Sequence, residues 1–254
     1  MKLSLALSLV ALSLLGLSST SAYAGETMVA VAANFTEPAR EIAAKFEEET
    51  GHTAVLSFGS TGQLFTQIQQ GAPFDVFLSA DTERPALAIK EELAVPDSDF
   101  TYAIGAIVLY SPDVDFVTGA ETLKNGDFDR LAIANPETAP YGAGAVQAMQ
   151  ALGVYETLLP KLVRGNNIAQ AFQFVETGNA ELGFVASSQV IDRGGSKWFV
   201  PTDLYSPVRQ DAVLLMQGEK NEAAISFLAF LKGSAARSII RRFGYKVDAP
   251  GSKS

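Results

Sequence analysis

Apolar residues in this chain come in short unbroken runs, each followed by a stretch with helical spacing. Met28-Val29-Ala30-Val31-Ala32-Ala33 predicts a buried strand. Ala39, Ile42, Ala43 and Phe46 then recur at i, i+3, i+4 and i+7, the pattern of an amphipathic helix. Asn34 or Thr36 is placed to cap that helix, Pro38 suits its first turn, and Thr50-Gly51 stops it. The unit repeats at Val55-Leu56-Ser57-Phe58, where Gly59-Ser60-Thr61-Gly62 turns the strand into a helix with Leu64, Phe65 and Ile68 on one face. A third strand, Phe74-Asp75-Val76-Phe77-Leu78-Ser79-Ala80, leads through Asp81-Thr82 into a polar helix. Strand–helix units in series predict parallel strands with right-handed crossovers, an α/β fold.

The rhythm breaks after residue 95. Residues 101–111 form a long β-rich run with no helix at the usual distance, which reads as a strand crossing out of a first lobe. A second set of units follows, with strands at Leu131-Ala132-Ile133-Ala134, Leu162-Val163-Arg164 and Leu182-Gly183-Phe184-Val185-Ala186. Residues 205–216 read as a second crossing strand, and two terminal amphipathic helices are expected to pack back onto the first lobe. The expected organisation is residues 25–104 and 206–254 in lobe 1 and residues 105–205 in lobe 2, with a cleft between them.

The ends and the composition narrow the setting. Lys2, the apolar residues 3–17 and the small-x-small site Ala22-Tyr23-Ala24 read as a secretory signal peptide, residues 1–24, cut after Ala24. The absence of cysteine removes disulfides, thiol nucleophiles and thiolate ligands, and a single histidine, His52, removes a multi-histidine metal site. A net charge of −9 argues against nucleic acid or an anionic membrane as partner. An anionic ligand would gain nothing from long-range steering here, so any anion site must work through short-range donors.

Four strand–helix junctions share one design: Ala33-Asn34, Ser60-Thr61-Gly62, Pro140-Tyr141-Gly142 and Asn166-Asn167-Ile168. Each ends a strand in small polar or glycine residues and opens a helix, where free N–H groups and the positive dipole end favour anions. Taken singly, each is more simply a helix cap. In parallel sheets ligands sit at the carboxyl ends of the strands, and two junctions fall in each expected lobe. None carries Lys or Arg within the turn, and none has Asp or Glu at its centre, although Glu37 and Glu137 flank two of them. A monohydrogen phosphate needs an acceptor for its proton, whereas a fully deprotonated oxyanion needs donors only. The set therefore favours a sulfate-like or molybdate-like dianion over phosphate. His52, Asp81, Trp198 and the Arg237, Arg241 and Arg242 group read as surface, cap, core and helix-dipole residues in turn. The different-class alternative is a secreted hydrolase with a Ser or Thr nucleophile, for which His52 would have to be the base.

Val29-Ala30-Val31-Ala32-Ala33-Asn34-Phe35, Gly59-Ser60-Thr61-Gly62, Gly71-Ala72-Pro73, Phe77-Leu78-Ser79-Ala80-Asp81 and Ala139-Pro140-Tyr141-Gly142 together resemble the molybdate-binding periplasmic proteins of ABC uptake systems. The resemblance covers essentially the whole chain after the leader. It implies a two-lobed periplasmic-binding-protein fold, type II-like, whose two crossing strands act as a hinge. It implies a periplasmic monomer that closes on molybdate or tungstate and delivers it to a membrane permease. It implies no enzymatic activity, no cofactor and no free metal cation. The family's oxyanion donors fall on Asn34, on Thr61 with Ser60 beside it, and on the backbone of Tyr141 and Ile168. A tyrosine that some members place after the Gly-hydrophobic-Val strand is Ala186 here, and Tyr141 is the expected substitute. Receptors for another tetrahedral oxyanion such as sulfate share this outline.

Overall fold

The computed structural model describes residues 24–248. The expected signal peptide and the last residues of lobe 1 lie outside the described residues, except for Ala24 itself.

The first three units form as strand and helix in turn: β1 (Glu26–Ala32), α1 (Thr36–Thr50), β2 (Thr53–Gly59), α2 (Thr61–Gln69), β3 (Val76–Leu78) and α3 (Glu83–Lys90). Then β4 (Phe100–Gly105) and β5 (Ile107–Ser111) follow with only Ala106 between them. The second set comprises α4 (Ala120–Asn125), β6 (Leu131–Ala134), α5 (Pro140–Ala151), α6 (Tyr155–Leu158), β7 (Leu162–Gly165), α7 (Ile168–Glu176), β8 (Leu182–Ala186), α8 (Ser187–Val190) and β9 (Ser196–Phe199). The chain closes with β10 (Val208–Leu214), α9 (Glu222–Lys232) and α10 (Ser234–Arg242).

Two five-stranded sheets result, ordered β2-β1-β3-β10-β4 and β7-β6-β8-β5-β9. The topology is the same in both. Three parallel strands are followed by one antiparallel strand that arrives from the other half of the chain. The inner parallel strands β3, β6 and β8 are buried on both faces, and β1 nearly so, which is why they read as continuous apolar runs and not as alternating ones. The chain is α/β and two-lobed. The long run at 101–111 is two strands, β4 in one sheet and β5 in the other, because the chain changes sheet at Ala106.

The second crossing is shorter than its sequence suggested. Residues 200–207 are not strand, and Pro207 has no N–H to give a ladder, so β10 begins at Val208. Tyr205 ties the two crossings together, its hydroxyl accepting from Ile107 N–H at 3.2 Å. Within β10 the pairing with β4 slips: Gln210 pairs with Ala103 but Asp211 with Thr101, so Tyr102 is skipped. Such bulges re-aim side chains, and both Gln210 and Tyr102 turn out to matter below.

The terminal helices pack against α1 and β1 around Phe35, Ile42, Phe46, Phe227 and Ile240, all fully buried. His52 is less of a surface residue than its sequence position implied. Its Nδ1 accepts from Gly25 N–H at 3.0 Å and its ring stacks on Phe46 with centroids 6.0 Å apart. Phe46 also meets Phe227 and Phe230 edge-on at 5.2 and 5.6 Å. Phe46→Ala is expected to cost about 3–5 kcal/mol of unfolding free energy in a chemical denaturation series.

Candidate functional site

The carboxyl ends of the strands in the two sheets face each other. β1 ends in Ala32 and passes through a single turn of 3₁₀ helix, Ala33–Phe35, into α1. β2 ends at Gly59, and Ser60, in extended conformation, precedes α2. From the other sheet, Ala139 and Pro140 open α5 and Asn167 opens α7. These turns enclose one small cavity lined by Ala32, Ala33, Asn34, Gly59, Ser60, Thr61, Ala80, Ala139, Pro140, Tyr141, Asn167 and Ile168. Asn34, Ser60, Thr61, Tyr141 and Ile168, singled out from the sequence, all lie on its wall. About 10 Å³ is open to the centre of a water-sized sphere, close to the room one water needs. A sugar, a peptide or any bulky organic ligand is excluded from this closed form.

The donors differ in how far they are already committed. Ser60 is 3% exposed, and among the described residues its Oγ has no hydrogen-bond partner. Thr61 Oγ1 accepts from Ala80 N–H at 3.1 Å, which leaves its own proton free to donate. The sequence had ranked Thr61 ahead of Ser60, whereas the structure leaves Ser60 the more open of the two. Asn167 caps α7 by accepting from Gln170 N–H at 3.0 Å, so its side chain serves the helix. The first N–H groups of α2, α5 and α7 have no partner within their own helices. Thr61, Tyr141 and Ile168 supply those groups at the cavity wall. No side chain on the wall is Asp, Glu, His, Lys or Arg.

Asn34 and Tyr141 do more than line the wall. Asn34 Nδ2 donates to Gln210 Oε1 at 2.8 Å and to the Tyr245 hydroxyl at 3.0 Å. Gln210 Nε2 in turn donates to the Tyr141 hydroxyl at 3.2 Å. The Asn34 carbonyl accepts from Tyr245 at 2.8 Å and from Ser188 Oγ at 3.0 Å. Burial first, then the neighbouring Tyr245, pushes the Tyr141 phenol well above its ordinary range. Tyr102 is pushed up likewise by burial and by Tyr245. These phenols stay neutral donors at any physiological pH. Gln210, Tyr245, Ser188 and Tyr102 were not anticipated, and no local pattern marks them: Gln210 stands between Arg209 and Asp211.

The lobes are closed on each other. Gly62 N–H in α2 donates to the Thr138 carbonyl at 2.8 Å across the cleft. A Cβ on Gly62 would stand 3.0 Å from Thr138 Cα. Ala32, Ala33 and Ala80 from the first sheet's side join the apolar cluster of the second. A larger groove of about 400 Å³ runs between residues 80–84 and 206–209, but its cations are already paired, Arg84 with Asp81 and Arg209 with Asp248. Among the described residues no cluster of three or more His, Cys, Asp or Glu is arranged to hold a metal ion, and no single helix is long and apolar enough to cross a membrane.

Residues 27–246 match the family described as bacterial extracellular solute-binding protein. The chain belongs to that family. The molybdate-binding protein ModA of Rhodobacter capsulatus is 57% identical over 228 residues, 89% of this chain and 90% of its own. The ModA of Azotobacter vinelandii is 52% identical, covering 91% and 93% of the two chains. The solved structure of the periplasmic molybdate-binding protein of Azotobacter vinelandii superposes with a TM-score of 0.85 at 36% identity, over 88% of this chain and all of that one. A sulfate-binding protein of Mycobacterium tuberculosis, SubI, shares the fold alone, with a TM-score of 0.73 at 14% identity. The cross-cleft contact at Gly62 helps hold the two halves together. Gly62→Ala is expected to lower the ratio of closed to open molecules by roughly tenfold, since the added Cβ presses on Thr138 and weakens the backbone hydrogen bond beside it. Small-angle scattering should show the wider form while the thermal midpoint stays within a few degrees, alanine being a better helix residue than glycine.

Proposed function

We propose that this protein captures molybdate, and tungstate with it, in the periplasm and delivers it to the membrane permease of an ABC importer. The observation that carries this reading is the chemistry of the cavity wall: hydroxyl and backbone N–H donors, with no cation and no carboxylate. The kinship with molybdate-binding proteins supports the choice among oxyanions. Asn34, Ser60, Thr61, Tyr141 and Ile168 hold the oxyanion, the last two through their backbone N–H groups at helix starts. Molybdenum is bound as its oxyanion, so it is cargo and needs no resident cofactor or metal ligand. Residues 1–24 direct export and are removed after Ala24, and residues 25–104 with 206–254 and residues 105–205 act as the two lobes. The protein works as a monomer without catalysis: closure presents one shape to the permease, and opening releases the ion.

Without a carboxylate on the wall, the proton of a monohydrogen phosphate has no strong acceptor, and phosphate is rejected. Calorimetry against molybdate, tungstate, sulfate and phosphate tests the reading directly. Binding of phosphate with none of molybdate would overturn it. Ser60→Ala is expected to weaken molybdate binding by about tenfold or more, because a charge-assisted hydrogen bond contributes roughly 1.5–3 kcal/mol. Ser60 Oγ makes no hydrogen bond within the described residues, so the ligand-free thermal midpoint should stay within a few degrees.

No group on the wall titrates near neutrality, and burial raises the Tyr141 phenol further from it. Molybdate affinity should therefore be flat within about twofold between roughly pH 6.5 and 8.5. A histidine-like inflection in that window would mean that a titrating side chain has been overlooked. Replacing His52 by alanine distinguishes the hydrolase reading, since molybdate affinity should be unaffected.

A further inference from the structure

The two crossings carry a buried polar network that no part of the binding reading requires. Gln210, fully buried on β10, sits at the slip in the β4 pairing; it does not line the cavity but bonds two residues that do. Its Oε1 accepts from Asn34 Nδ2 at 2.8 Å and lies 3.1 Å from the Tyr102 hydroxyl, which it shares with the Ser79 carbonyl at 3.0 Å, and its Nε2 donates to the Tyr141 hydroxyl at 3.2 Å. Asn34 and Gln210 belong to the first sheet's half, while Tyr141 opens α5 in the second. One side-chain amide thus joins a wall residue from each half. The skipped residue Tyr102 is the third member of the set, so the slip places both Gln210 and Tyr102 in the network. Glycine at position 105 is what admits the Tyr141 hydroxyl: a Cβ there would lie 2.0 Å from it and 2.8 Å from Gln210 Nε2.

We propose that Gln210 is a positioning residue that couples closure of the lobes to the seating of the oxyanion, through Asn34 on one side and Tyr141 on the other. This rests on the oxyanion reading of the cavity, and it goes beyond that reading by assigning function to a residue that does not touch the ligand. Its Nε2–Tyr141 bond spans the cleft, as does the Ser188–Asn34 bond beside it. Opening must break both, whereas the Asn34–Gln210 and Tyr102–Gln210 bonds lie within one half and persist. Gln210 therefore holds Asn34 ready in the open form and engages Tyr141 only on closing. A buried amide whose donor is left without its partner is costly, so the network resists partial closure.

A double-mutant cycle on Gln210→Met and Tyr141→Phe tests this, with closure followed by small-angle scattering and dissociation by stopped flow. The oxyanion used is whichever of molybdate, tungstate, sulfate and phosphate closes the wild-type protein. Each single change is expected to speed dissociation by roughly fivefold to tenfold with little effect on association. Gln210→Met also removes the acceptor of Asn34 and Tyr102 and should be the more severe single change; the double change should be no worse than it, because the Gln210–Tyr141 bond is already lost. Ligand-free thermal stability should show no such coupling, since the bond is absent from the open form. If the methionine variant is unstable, Tyr141→Phe alone decides: it leaves the Gln210 bonds to Asn34 and Tyr102 in place, and an unchanged dissociation rate would overturn the proposal. Multiplying losses in the double variant, or equal coupling in the ligand-free protein, would overturn the proposal. Closure of the wild type by phosphate but not molybdate would instead sink the functional reading and leave the cycle measurable. A wild type that closes on none of the four ions would sink both.

Discussion

Close approach of two backbones is the constraint on which this molecule is built. A small oxyanion carries its charge on oxygens that need donors on every side, and with no cation on the cavity wall those donors must be main-chain N–H groups and hydroxyls. Main-chain groups reach a ligand only where nothing bulkier stands in the way. The turns at the cavity are accordingly written in small residues: Ala32 and Ala33 after β1, Gly59 and Ser60 after β2, Ala80 after β3 and Ala139 before α5. Gly62 lets its N–H meet the Thr138 carbonyl at 2.8 Å, and Gly105 makes room for the Tyr141 hydroxyl.

The sheet order serves the same end. In each sheet the first strand of a parallel set is flanked by the second and the third, so consecutive helices depart on opposite faces and leave a crevice at the strand ends. Two such crevices face each other because β5 and β10 each complete the sheet of the other half. The crossings are therefore structural members of both halves, and Gly105, Ala106 and Gln210 lie on them. That is where the polar network sits.

Much of this was legible in the sequence. Apolar runs such as Val29 to Ala33 predicted buried parallel strands because both faces of those strands are covered. The glycine and hydroxyl turns marked the strand ends, and the change of rhythm after residue 95 marked the passage to a second set of units. Asn34, Ser60, Thr61, Tyr141 and Ile168 could be named because strand–helix junctions have a local signature, and the tertiary structure brings all five to one cavity. The family could be recognised from the same residues.

Other features depended on contacts that no local pattern encodes. The division of residues 101–111 into strands of two sheets is decided at Ala106 by which partners are available, not by any apolar pattern. The slip at Tyr102 follows from pairing across more than 100 residues of chain. Whether Ser60 or Thr61 has the freer hydroxyl depends on Ala80, nineteen residues away, which takes up the oxygen of Thr61. Gln210, Ser188 and Tyr245 reach Asn34 from 154 to 211 positions along the chain. Sequence alone determined which segments would be strands, where each would turn, and what chemistry those turns could offer. The tertiary structure decided which turns would meet and which donors would be spent on the protein itself, because hydrogen bonds are allotted by proximity in space.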